Sequence, residues 1–234
     1  MLLIKVSAKL KVKCFLIRYF SYTQNVGVNL KKVRLLLSII LTFLIFPIFG
    51  QDFEIVKSDS IVDKLKIDSF KIVETYTLDN FDYYVGWYET TNQKDYGLRL
   101  YVYNPNGSLI YKSNGFMDSY THSLTFFKSD KHPEQTIILG HSSNEYSWGN
   151  EVYLLENGKF NHIGLLDVGT FDSMDMPWDI SSHTQIWSKS DGLRFTFSYD
   201  SLTYNPGGKN ERILKKEQIE YKYEDGQLKE KIKN

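Results

Sequence analysis

Cysteine is nearly missing from this chain. Its 234 residues include a single one, Cys14, and it lies ahead of the point where the working protein is expected to begin. Beyond residue 50 there is no thiol, so disulfides, thiolate metal sites and a cysteine nucleophile are all excluded there. Acidic residues are missing from the first 50 positions, which carry eight Lys and Arg and no Asp or Glu. The remainder therefore holds 20 basic against 28 acidic residues, a net charge near −8. An acidic domain repels phosphate backbones, which argues against general nucleic-acid binding. No Lys-rich or Pro-rich tail offers a partner signal.

Long hydrophobic runs are also lacking. The one substantial apolar stretch, Leu35 to Phe46, is interrupted only by Ser38 and Thr42, is preceded by Lys31, Lys32 and Arg34, and is followed by Pro47 and Gly50. A basic lead, a short apolar segment and a small residue before the cut describe a secretory signal peptide, with cleavage expected before Gln51. A retained membrane anchor is the alternative, although a spanning helix needs about 20 apolar residues and this run falls short. Residues 1–30 fit neither description, and a start of translation near Leu30 would give an ordinary short basic lead. The expected organisation is thus a leader over 1–50 and a single exported β domain over 51–234, located in the periplasm or outside the cell. Contact with a membrane would come only through an uncleaved leader.

Helical periodicity is the third absence. After residue 50 the pattern alternates with period two and is rich in aromatic and β-branched residues, as strands prefer. Leu98, Leu100 and Val102 share a face, as do Leu193, Phe195, Phe197 and Tyr199, and Ile219, Tyr221 and Tyr223 alternate with charged residues. Such segments read as half-buried antiparallel strands. Asn106-Gly107, Asn157-Gly158 and Asp225-Gly226 are strong hairpin-turn signals, because these residues tolerate positive φ.

Around each turn a similar unit can be traced. The first runs 70–78, 83–89, 98–103 and 108–113; the second 121–127, 135–141, 151–155 and 159–165; the third 182–187, 193–199, 218–223 and 227–231. The turn glycines are 51 and then 68 residues apart, so the third unit carries an insertion. The fold expected is all-β, an antiparallel meander of about 12 strands in three four-stranded units that follows a signal helix. Four-stranded meanders at this spacing resemble the blades of kelch-like β-propellers. That resemblance implies a propeller-like arrangement, while the small number of units leaves a two-sheet sandwich or a curled barrel open.

The candidate chemistry is sparse. The densest carboxylate stretch, residues 167–179, contains Asp172, Asp175 and Asp179. Its spacing lacks the alternation of a calcium loop, and a solvated connection between units explains it, though a carboxylate pair for an exported hydrolase is an alternative reading. The five histidines stand singly with no zinc-binding spacing. Gly140-His-Ser-Ser-Asn144 reads as a strand end entering a polar loop rather than a nucleophile elbow. No cofactor and no metal is expected.

One pattern points to binding. If the three units are equivalent, the loops 90–96, 142–150 and 200–208 share a face, and each places an aromatic among Asn, Ser and Thr. Those rings are Tyr96, Tyr146 with Trp148, and Tyr204. Rings among amides are what glycan- and protein-binding surfaces use. The expectation is therefore a non-catalytic binding domain whose partner is a glycan or an envelope protein. A structural envelope component is a second alternative.

Overall fold

The computed structural model describes residues 51–61, 66–88, 96–116, 118–171 and 177–233. The leader, and with it the expected signal helix, lies outside the described residues. The described chain is all-β with antiparallel sheets and no closed barrel.

Three consecutive meanders form the body. The first sheet orders β2 (Phe70–Leu78), β3 (Phe81–Tyr88), β4 (Arg99–Tyr103) and β5 (Leu109–Lys112). The middle sheet orders β6 (Thr121–Lys128), β7 (Gln135–Ser143), β8 (Ser147–Glu156) and β9 (Lys159–Leu166), with the short β1 (Glu54–Val56) added on the outer side of β6. The third orders β12 (Thr184–Lys189), β13 (Gly192–Phe197), β16 (Ile219–Glu224) and β17 (Gln227–Ile232). These coincide with the three units legible in the sequence. Two of the three turns do as well: Asn157 and Gly158 have φ of 50° and 76°, and Asp225 and Gly226 have 52° and 77°, whereas in the longer Asn104–Ser108 loop Gly107 has positive φ, at 74°, and Asn106 does not. Positive φ at both central residues is the hairpin geometry that follows the strand twist.

The strand count differs from the expected twelve, since 17 strands are present among the described residues. The insertion in the third unit is one cause. It folds as the hairpin β14 (Ser201–Tyr204) and β15 (Arg212–Lys215), which leaves its own unit and pairs with β10 (Val168–Phe171) and β11 (Pro177–Trp178) in a fourth sheet. Residues 201–204, expected as loop, are thus strand, because Leu202 and Leu214 bury fully or nearly so in the core.

Half-burial fails at β4, where Arg99 to Val102 are all buried, and the middle sheet is buried on both faces as well. One face packs Leu124, Phe126, Ile138 and Tyr153 against Tyr83, Val85 and Leu100 of the first sheet. The other packs Phe127, Ile137, Leu139 and Val152 against Ile186, Phe195 and Ile219 of the third. Two buried faces require consecutive apolar residues rather than alternation, which is why Phe126-Phe127 and Ile137-Ile138-Leu139 read continuously.

The segment from Asp52 to Asp59 straps the three sheets together. The Asp52 and Phe53 amides donate to the Ile186 carbonyl on β12 at 3.0 and 3.3 Å. Glu54 to Val56 then pair with Phe126 to Lys128 on β6. Finally Asp59 exchanges two backbone hydrogen bonds with Thr77 on β2, at 2.8 and 3.1 Å. Phe53 is fully buried and stacks on His132 with ring centroids 5.9 Å apart. The Asp52 carboxylate pairs with Lys131 and accepts the Ser188 amide at 3.0 Å.

Candidate functional site

Of the four rings singled out in the sequence, Tyr96 alone lines the groove described below. Tyr146 is half-buried in the bend between β7 and β8, and a Cβ built on Gly207 would collide with its ring. The second loop therefore meets the β14–β15 hairpin. Trp148 is half-buried within β8 rather than at a loop tip. Tyr204 ends β14, its hydroxyl donates to the Glu230 carboxylate at 3.0 Å, and the Arg212 guanidinium lies 5.3 Å from its ring centre. Burial, then Glu230, pushes the Tyr204 hydroxyl pKa up. Loop residues 90–95 lie outside the described residues, but Tyr96 is 52% exposed and lines a groove that none of the other three reaches.

That groove, about 390 Å³ in volume, is lined by Trp87, Tyr88, Tyr96, Leu98, Asp118 and Tyr120, among others. Trp87 and Tyr88 end β3, and Tyr96 to Leu98 lead into β4. Asp118 to Tyr120 belong to the connection from β5 to β6. Leu98 and Phe116 clamp two of these segments, with the Phe116 amide donating to the Leu98 carbonyl at 2.7 Å. Asp118 turns the chain with a φ of 61°. The Tyr120 amide then donates to the Ser143 carbonyl at 2.9 Å, and the Ser119 hydroxyl donates to the same carbonyl at 3.2 Å. Ser119 is buried while its neighbour Tyr120 is 77% exposed, the most exposed of the large hydrophobic side chains described. A fixed backbone thus holds a ring in solvent. Sequence reasoning found Tyr96 and missed Trp87, Tyr88 and Tyr120, because the groove draws on three segments that no spacing links.

Cations lie over two of the lining rings. Lys71 sits 5.0 Å from the Trp87 ring centre, and Arg99 and Lys112 sit 5.3 and 5.1 Å from that of Tyr88. The Tyr88 and Tyr101 hydroxyls bond to each other. Such contacts contribute about 0.5–1 kcal/mol each at exposed sites and hold Trp87 and Tyr88 in place.

Two buried His–Ser pairs lie on the middle sheet. His122 bonds through Nδ1 to Ser142 Oγ at 2.8 Å, and His141 through Nε2 to Ser147 Oγ at 3.1 Å. Burial, helped by His141, lowers the His122 pKa to about 3. Burial also lowers that of His141, against the pull of Asp179. Asp179 in turn accepts the Ser181 amide and hydroxyl at 2.8 and 2.7 Å. Of the aspartates considered for hydrolysis, it is the one in place; Asp172 and Asp175 lie outside the described residues. The Ser147–His141 spacing suits a nucleophile and its base, yet Ser147 is 1% exposed. The cluster serves packing. Gly140 fits the same reading, since an added Cβ would stand 2.6 Å from the His122 ring and 3.1 Å from Tyr153. Gly140→Ala should therefore cost about 1–3 kcal/mol through overpacking. Urea denaturation checks this, and an unchanged midpoint would show that the rings have room to yield.

Among the described residues no group of three His, Cys, Asp or Glu could hold a metal ion, and no helix is long and apolar enough to cross a membrane. Comparison with family models, with curated proteins and with solved structures gives no match.

Proposed function

We propose that this protein is an exported, non-catalytic β domain that works by binding in the bacterial envelope or outside the cell, with the Tyr96–Tyr120 groove as its ligand seat. The observation that carries the reading is the pair of exposed rings, 52% and 77% accessible, on one concave surface. Exposed aromatics on a rigid concave scaffold give large contact area at small entropic cost. Export rests on the leader: a basic lead, a short apolar run and Gly50 before Gln51. The three meanders, which share cores in sequence order, support a propeller-like stack over a two-sheet sandwich.

Export predicts a mature amino terminus at or within a few residues of Gln51, and intact mass of the processed protein measures it. A leader still attached in the membrane fraction is the contrary result. Binding is tested by cosedimentation with bacterial envelope material. The wild-type protein should sediment, and the double variant Tyr96→Ala, Tyr120→Ala should remain in solution with its thermal stability intact. Equal sedimentation of both would remove the groove from the account.

A further inference from the structure

We infer that Gln51 is a modification site: once the leader is removed, its α-amine closes on its own side-chain carboxamide, and the resulting neutral pyroglutamyl lactam protects the strap from amino-terminal trimming. This rests on the cleavage before Gln51 proposed above. The reaction balances within the residue. The unprotonated α-amine attacks Cδ, the new Nα–Cδ bond replaces the Cδ–Nε2 bond, and Nε2 leaves as ammonia. No oxidant, water or second substrate enters. An α-amine titrates at about 8, so neutral pH supplies the nucleophile. The position is specific. A cut one bond to either side would expose Gly50 or Asp52, and neither can form this ring.

The fold gives the lactam a task. Gln51 is half-buried, belongs to no strand and directly precedes the anchorage of the strap. The Asp52 and Phe53 amides both donate to the Ile186 carbonyl. Asp52 also pairs through Oδ1 with Lys131 and accepts the Ser188 amide through Oδ2. Phe53 is fully buried in the core that contains Phe127, Ile186 and Phe195. The hold of the strap on β12 therefore lies in the two residues that follow the new terminus. Chain ends are where proteolysis concentrates, and an aminopeptidase working inward from a free amine would remove both residues within its first few steps. The Ile186 carbonyl would lose its donors and the core its ring. Aminopeptidases recognise the amine of the first residue, and a lactam offers none. Cyclisation leaves the Asp52 and Phe53 amides untouched, so both bonds to Ile186 persist.

The test uses the exported, processed protein. Its intact mass should be that of residues 51–234 less one ammonia, and its amino-terminal peptide should carry no amine-reactive label on the α-nitrogen. Pyroglutamyl peptidase acting on that peptide should expose a labelled amine at Asp52. Gln51→Asn is the comparison, because its side chain is one methylene too short to close the ring. After incubation with a broad-specificity aminopeptidase, wild type should keep its urea midpoint, whereas Gln51→Asn should lose Phe53 and unfold at lower urea. A free amine on Gln51, or a mature terminus at a neighbouring residue, overturns the lactam and leaves export standing. A leader still attached overturns both. Equal resistance of wild type and Gln51→Asn would show that docking alone guards the strap and overturns the protective role.

Discussion

Phe53→Ala should cost about 3–5 kcal/mol, the range for removing a buried ring from a core that collapses only partly. Phe53 is fully buried with Phe127, Ile186 and Phe195, and its backbone links β12 to the strand that caps β6. Losing the ring therefore leaves a cavity and also loosens the strap at the joint between two sheets. A single domain commonly has only 5–15 kcal/mol in total, so the variant should be marginally folded at 37 °C. Urea denaturation of wild type, Phe53→Ala and Glu54→Ala measures this. Glu54, the next residue, is exposed at the start of β1 and should change stability by no more than about 0.5 kcal/mol. A Phe53→Ala loss below about 1 kcal/mol would show the strap to be an ornament on sheets that hold together without it.

Acid should destabilise the protein through His122. The ring is 1% exposed, stacked on Phe116 at 4.2 Å and edge-on to Tyr153, with its Nδ1 on Ser142. Burial, then His141, lowers its pKa to about 3 in the folded protein against an ordinary 6.5, so the unfolded chain binds the proton more readily. The neutral ring's contribution is fully present above about pH 6.5 and is lost as pH falls from there toward 3. Between pH 7 and 4 the loss is roughly 3 kcal/mol. His141, also lowered by burial, acts in the same direction. His162, raised first by its hydrogen bond to Glu151, acts oppositely and stabilises below its ordinary range. Both remain in a His122→Asn variant, so the difference between the two pH profiles isolates His122. Wild type should fall more steeply with acid than the variant by about that amount, read from urea midpoints at several pH values. Parallel profiles would mean that the ring reaches solvent and titrates normally.

The sequence made the meanders legible because three of the turns carry their own chemistry and strands β12, β13 and β16 alternate. Leu193, Phe195 and Phe197 face the core at two-residue spacing, as alternation requires. The β2–β3 turn was less visible: Asp79 and Asn80 both adopt positive φ, at 53° and 64°, without a glycine to mark them. The strap escaped notice because three residues, Glu54 to Val56, show no periodicity, and their pairing depends on strands far along the chain. The β14–β15 hairpin was hidden by Asn205-Pro206-Gly207-Gly208, which reads as a loop although Leu202 and Leu214 on either side are core. For the candidate site, equivalence of the units suggested one face. The insertion removed Tyr204 to another sheet, and burial took much of Tyr146 and Trp148. Tyr96 alone lines the groove, where its neighbours come from segments that only the fold assembles.

The strap also sets the order in which the molecule can be completed. A chain made from its amino end produces Asp52 and Phe53 among the first residues of the domain, whereas their partners Ile186 and Ser188 arrive late; Asp52 and Ser188 are 136 positions apart. Closing so long a loop is slow compared with forming the local hairpins. The first and middle meanders can therefore assemble from contiguous chain while the aromatic side chain that joins the middle sheet to the third waits for its pocket. Until then the face of the middle sheet that carries Phe127, Ile137 and Leu139 stays open. Docking of Asp52 and Phe53 onto β12 is thus a late event although they belong to the earliest segment, and a nascent chain interrupted before Ile186 is left with an unfilled, sticky surface.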